Sequence, residues 1–162
     1  MRIEDGIGFG KRSVGFMAKK NLVKRVRDWM TCDPATVAPN DSLQRVVELL
    51  RRRDIRSVPV LEDGRLIGIV TDRDVRQVAP AYPLFREEVE IRRYTENLTV
   101  TAAMTADPMT IAPDAPLIDA AKVLETYRIS ALPVVDGTEL VGMLTVTDLL
   151  RVFVEQNEEK AA

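Results

Sequence analysis

The sequence predicts an α/β chain of the α+β kind, built from two copies of one β-α-β-β-α unit packed sheet to sheet about a pseudo-two-fold axis. Three observations carry this. Shifting the 162-residue chain by 74 positions pairs 26–78 with 100–152 without a gap, and 18 of the 53 pairs are identical. Average composition would give roughly three by chance. The identities include Asp33-Pro34/Asp107-Pro108, Leu43/Leu117, Pro59-Val60/Pro133-Val134, Gly68/Gly142, Thr71/Thr145 and Asp74/Asp148. Second, each copy holds two apolar runs joined by a turn segment, Glu62-Asp63-Gly64 and Asp136-Gly137-Thr138, the pattern of a hairpin. Third, apolar residues recur at helical spacing just before each hairpin.

The elements follow in order within each copy. Asp33-Pro34 and Asp107-Pro108 open it as an extended turn, because proline pushes its predecessor out of the helical region. Thr36-Val37 and Thr110-Ile111 read as very short strands. A helix over 42–53, with Asn40 or Asp41 as cap, turns Leu43, Val46, Val47 and Leu50 to one face. Its twin over 116–127 is capped by Asp114, tolerates Pro116 in the first turn and faces Leu117, Ala120, Ala121 and Leu124 inward. The hairpins span 58–61 with 65–70, and 132–135 with 139–144. Glycine stands one position earlier in the second turn, so the two turns should differ in type. A closing helix starts near Asp72 and near Val146. A unit of about fifty residues has a marginal core by itself, so the two copies must pack on each other.

This divides the chain into a basic leader (1–20), a first repeat (21–78), a linker with a short helix near 84–93 (79–98), a second repeat (99–153) and a charged tail (154–162). Residues 1–30 carry a net +5 and the remainder −7. A basic arm could touch nucleic acid, but a solvated leader on an acidic body of low aromatic content is the favoured reading. No apolar run approaches the ~20 residues of a spanning helix, and the reading places the chain in the cytoplasm. With no histidine and a single cysteine, Cys32, the sequence excludes an internal disulfide and nucleophile systems that need histidine. It offers neither a metal constellation nor a glycine-rich phosphate loop, and an enzyme is not expected.

The stretches VRDWMTCDPATVAPNDSL, IRSVPVLEDGRLIGIVTDRD, VTAAMTADPMTIAPDAPL and ISALPVVDGTELVGMLTVTD together resemble the cystathionine-β-synthase (CBS) domain, here as the tandem pair called a Bateman module. The resemblance covers about 22–152. It implies that an adenosine-containing ligand (AMP, ADP, ATP, S-adenosylmethionine or NAD) sits in clefts between the repeats as a regulatory ligand, with no catalytic cofactor. In the family the Thr-x-x-Asp at the last strand–helix junction carries ribose and phosphate, here Thr71 to Asp74 with Arg73 between, and Thr145 to Asp148 with Thr147 between. An ionised Asp can accept from both ribose hydroxyls, yet the same motif also serves as a capping box that needs no ligand.

The adenine is then expected near Thr36, Val37, Ile55, Arg56, Ser57, Val58 and Pro59 in the first site. The second site offers Thr110, Ile111, Ile129, Ser130, Ala131, Leu132 and Pro133. Arg56 and Arg73 favour a charged nucleotide in the first site. The second has Ser130 and Thr147 there, with Arg128 the nearest cation. Such pairs commonly dimerise into a disc, so a homodimer and an effector protein acting in trans are the expected partners. The segment holding Val26, Trp29 and Met30 could face the subunit interface. The competing readings are a structural dimerisation or adaptor module with degenerate ligand sites, and a nucleic-acid-associated regulator using the leader.

Overall fold

Two β-hairpins position everything else. In the computed structural model, residues 24–78 and 88–161 are described; the leader 1–20 and the prolines at 80 and 83 lie outside them. β2 (Ser57–Glu62) and β3 (Arg65–Thr71) pair antiparallel, as do β5 (Ala131–Asp136) and β6 (Glu139–Thr145). Both turns have two residues but differ in type. Asp63 and Gly64 both have positive φ, the type I′ pattern, whereas in the second turn only Gly137 does, the type II′ pattern.

Each hairpin is flanked by helices. α1 (Leu43–Arg53) and α4 (Leu117–Tyr127) precede it, while α2 (Asp72–Val78) and α5 (Val146–Ala161) follow it. α3 (Glu88–Glu96) lies between the repeats in sequence and packs on α1, where the Thr95 hydroxyl donates to Gln44 Oε1 at 2.6 Å. It covers 88–93 of the helix expected at 84–93 and runs on to Glu96, while 84–87 lie outside the described residues. Residues 154–161, read from sequence as a charged tail, continue α5.

Some local expectations need correction. Asp33 and Asp107 are not extended but left-handed, with φ of 46° and 47°. Proline excludes the right-handed helical region from its predecessor, and aspartate tolerates the left-handed one. Thr36-Val37 and Thr110-Ile111 form single parallel bridges, Val37 to Val60 and Ile111 to Val134, rather than strands. The helix N-caps are Ser42 and Pro116, with extended backbone and no side-chain cap bond. Asp41 instead accepts from the Ala38 amide at 2.8 Å, and Asp114 pairs with Arg27 at 2.6 Å.

The largest difference concerns which repeat each entrance segment belongs to. β1 (Thr31–Cys32) pairs with β6, and β4 (Thr105–Ala106) pairs with β3. The amide of Val26 donates to Ala115 O and that of Leu117 to Lys24 O. Their equivalents 74 positions away repeat the exchange: Val100 donates to Asp41 O and Leu43 to Leu98 O. Each repeat therefore lends its opening segment to the other. Val26, fully buried, completes a core with Leu117, Ala120, Leu124, Leu132, Val134, Leu144 and Val152. Val100 does the same for Val37, Leu43, Val46, Val58, Val60 and Val70. Trp29 and Met30 pack against the second repeat's core, so this segment serves the contact between repeats.

The repeats meet on their symmetry axis. Arg65 of β3 pairs with its own equivalent, Glu139 of β6. A small apolar cluster of Ile69, Met143 and Ala131 contains another self-equivalent pair, Ile69 and Met143.

Candidate functional site

The end of β3 and the start of α2 bring the first set of candidate residues together. Ser57 lies opposite Thr71 in the hairpin register, and the Asp72 amide donates to Arg56 O at 3.0 Å. The Val37 amide donates to Pro59 O at 3.1 Å, which ties Thr36-Val37 to the same strand. The second set repeats this arrangement. Ala131 lies opposite Thr145, the Val146 amide donates to Ser130 O at 3.0 Å, and the Ile111 amide donates to Pro133 O at 3.0 Å. Ile55 and Ile129 are half-buried just ahead of the strands.

Both Thr-x-x-Asp motifs are formed as reciprocal caps. Asp74 Oδ2 accepts from the Thr71 amide at 2.8 Å and its hydroxyl at 2.6 Å, while the Asp74 amide donates to Thr71 Oγ1 at 3.3 Å. At Asp148 Oδ2 the distances to the Thr145 amide and hydroxyl are 2.9 and 2.7 Å, with 3.3 Å for the return bond. In each motif one carboxylate oxygen closes the strand–helix junction. The other oxygens differ. Arg151, one turn along α5, donates to Asp148 Oδ1 at 3.2 Å. Its counterpart on α2 is Gln77. Asp148 is 4% exposed, whereas Asp74 is half-buried.

The remaining candidates separate by exposure. Arg56, Arg73, Thr110, Ser130, Thr147 and Arg128 are exposed. Arg128 sits at the C-cap of α4 in the left-handed conformation, with φ of 54°. Val58, Pro59, Leu132 and Pro133 are buried, with Val58 and Leu132 fully enclosed in the two cores, so they shape the strands from behind.

A cavity of about 320 Å³ opens elsewhere, near the symmetry axis. It is lined by Arg65, Leu66, Asp107, Pro108, Thr110, Val135, Gly137 and Thr138. Of the candidate residues only Thr110 reaches it. It arises because the loop after β4 crosses from β3 to β5, a path set by the exchange of entrance segments. Arg151 too is absent from the sequence-derived candidates, although its spacing of three from Asp148 on a helix is a readable signal. Among the described residues no cluster of three or more His, Cys, Asp or Glu side chains could hold a metal ion, and no helix is long and apolar enough to cross a membrane.

Two interlocked β-α-β-β-α repeats with a Thr–Asp cap at each closing junction define a tandem-repeat module with two pseudo-equivalent sites. A family model for the CBS domain matches residues 26–80 and 100–155, and the chain belongs to that family. It is 32% identical over 124 residues to the CBS domain-containing protein YhcV of Bacillus subtilis, covering 76% of this chain and 81% of that one. It is also 33% identical over 150 residues to an inosine-5'-monophosphate dehydrogenase of Korarchaeum cryptofilum. That match covers 89% of this chain but only 28% of the longer enzyme. Among solved structures, CBSX2 in complex with AMP aligns with a TM-score of 0.67 at 29% identity, covering 81% and 97% of the two chains. The CBS domain pair of protein MJ0100, in complex with 5'-methylthioadenosine and S-adenosyl-L-methionine, aligns with a TM-score of 0.68 at 26% identity, covering 83% and 98%.

Proposed function

We propose that this chain is a regulatory CBS pair that binds an adenosine-containing ligand at the two strand–helix junctions and passes the resulting change to an effector protein in trans. The observation that carries the reading is the duplicated Thr–Asp cap, which leaves one Asp74 oxygen unused by the cap. That oxygen can accept from ribose hydroxyls, which an ionised carboxylate does at several lone-pair sites. Arg56 and Arg73, both exposed beside it, supply positive charge for a phosphate. The complexes of CBSX2 with AMP and of MJ0100 with S-adenosyl-L-methionine support this ligand class. The protein works as a regulator, not as an enzyme, in the cytoplasm.

Calorimetric titration of nucleotide-free protein with AMP, ATP, NAD and S-adenosylmethionine tests the reading. One of them should bind in the micromolar range, and Asp74→Ala should weaken that binding at least tenfold, the loss of a charged hydrogen-bond acceptor. Unchanged affinity in a folded Asp74→Ala protein refutes the ribose assignment.

A specific observation also favours self-association, whether or not ligand binds. Ile118, Tyr127, Leu150, Phe153 and Val154 leave large apolar side chains exposed on α4 and α5. Exposed apolar side chains on two helices that touch each other suit a second copy of the chain. If no adenosine ligand binds, the adaptor reading takes over on this surface.

A further inference from the structure

The closing helices α2 and α5 occupy equivalent places yet distribute their charges differently. On α2 the cation Arg76 pairs with Asp72 at 2.8 Å, four residues back and away from the capping aspartate. On α5 both partners of that pair are replaced by apolar residues, Val146 and Leu150. The cation has moved one position along, to Arg151, and pairs with the capping aspartate itself at 3.2 Å. We infer that Arg151 is a specificity-determining residue: as resident counter-ion of Asp148 it occupies the acceptor that a ribose needs, and so makes the second site the weaker of the two.

The inference rests on the ligand reading above and deepens it. Asp148 is almost fully enclosed, and its side chain is 6% exposed. A buried carboxylate must have its lone pairs met. Thr145 meets Oδ2, so Oδ1 depends on Arg151. A ribose hydroxyl reaching Oδ1 has to share it with the guanidinium or displace it. Displacement is feasible because the Arg151 side chain is 59% exposed and can return to water. At the first site Gln77 brings no charge and Asp74 is half-buried, so a ribose there displaces only solvent. A half-exposed ion pair is worth enough to weaken a competing hydrogen bond by up to about fivefold.

The test uses AMP and calorimetry, with a thermal melt to confirm that each variant is folded. In an Asp74→Ala background the remaining binding reports the second site. Adding Arg151→Gln, which copies the first repeat, should tighten AMP about fivefold there, while Arg151→Lys, which keeps the cation, should change it less than twofold. The reciprocal Gln77→Arg in the otherwise unaltered chain should weaken the first site by a similar factor. The inference is overturned if Arg151→Gln leaves AMP affinity unchanged or lowers it, the latter marking Arg151 as a phosphate contact. It is also overturned if Arg151→Lys tightens binding as much as Arg151→Gln. Absence of AMP binding to the unaltered chain and to every variant is a different failure, because it removes the ligand reading itself and this inference with it.

Discussion

Replacing Val26 by Ala separates the exchanged architecture from two self-contained repeats. Val26 belongs to the first repeat in sequence but is fully buried in the core of the second, beside Leu117, Leu132 and Leu144. The substitution removes two methyl-sized groups, about 0.8 kcal/mol each. It also leaves roughly 45 Å³ empty, about 1 kcal/mol more at the cavity coefficient for partly relaxed cores. The expected loss is about 2–3 kcal/mol, which lowers the melting temperature by about 5–10 °C for a chain of this size. Magnitude alone does not locate the damage, so the informative assay is a pair of double-mutant cycles followed by urea unfolding. Val26→Ala combined with Leu117→Ala shares one core and should couple by at least about 0.5 kcal/mol. Combined with Leu43→Ala, which lies in the first repeat's core, it should be additive within about 0.5 kcal/mol. Coupling to Leu43 and additivity with Leu117 would refute the exchange.

The close approach of the exchanged strands makes a second prediction. A Cβ at Gly142 would stand 2.7 Å from Met30 Sδ and 2.9 Å from Thr31 O, and the backbone oxygen cannot swing aside. Gly142→Ala should therefore cost about 1–3 kcal/mol by overpacking. Gly68→Ala should cost less, because its nearest backbone oxygen is at 3.2 Å and the tighter contact is the flexible Met104 Sδ at 2.8 Å; thermal melts of the two variants check the order. Placing a charge on the apolar face, as Phe153→Glu, should shift light-scattering mass toward monomer with little loss of stability, since Phe153 is 66% exposed.

Much of this architecture is legible in the residues because its signals are local. The hairpins follow from apolar runs around Asp-Gly and Gly-Thr, and they came out one residue longer at each end. α1 and α4 follow from the spacing of Leu43 with Val46 and of Leu117 with Ala120 and Leu124. The exchange is not legible. β1 and β4 have two residues each, all exposed, so no burial periodicity marks their partner. An exact internal repeat is also blind to it, because a segment lent to the other copy and a segment kept at home give the same alignment. The caps differ because other partners take the carboxylates: Asp41 suits an N-cap chemically but closes a local turn on the Ala38 amide, and Asp114 is held by Arg27 from the other repeat. The candidate site was legible as three separated pieces that the hairpin register joins. The motif by itself does not show Arg151, which stands three residues beyond Asp148 where the first copy has Gln77.

The exchanged strands also bear on how a regulatory module of this shape could couple its sites. β3 ends at Thr71 and β6 at Thr145, so each Thr–Asp cap terminates a strand that touches both repeats. Along β3 the contacts are β2 of its own hairpin, β4 at Gly68 and Ile69, and β6 at Arg65. Residue 105 of β4 leads directly through Asp107 to Thr110 and Ile111, which border the second site. A displacement of β3 at the first junction therefore reaches the second site through paired backbone rather than through loose side chains. By symmetry β6 and β1 lead from the second junction to Thr36 and Val37. Coupling of this kind needs a ligand that binds two arrangements of β3 and β6 unequally. The asymmetry between a free Asp74 oxygen and an Arg151-held Asp148 means that the same ligand would push the two strands with unequal force. On the proposed ligand reading, a pseudo-symmetric frame thereby acquires a direction, with the first site the tighter of the two and the second the weaker.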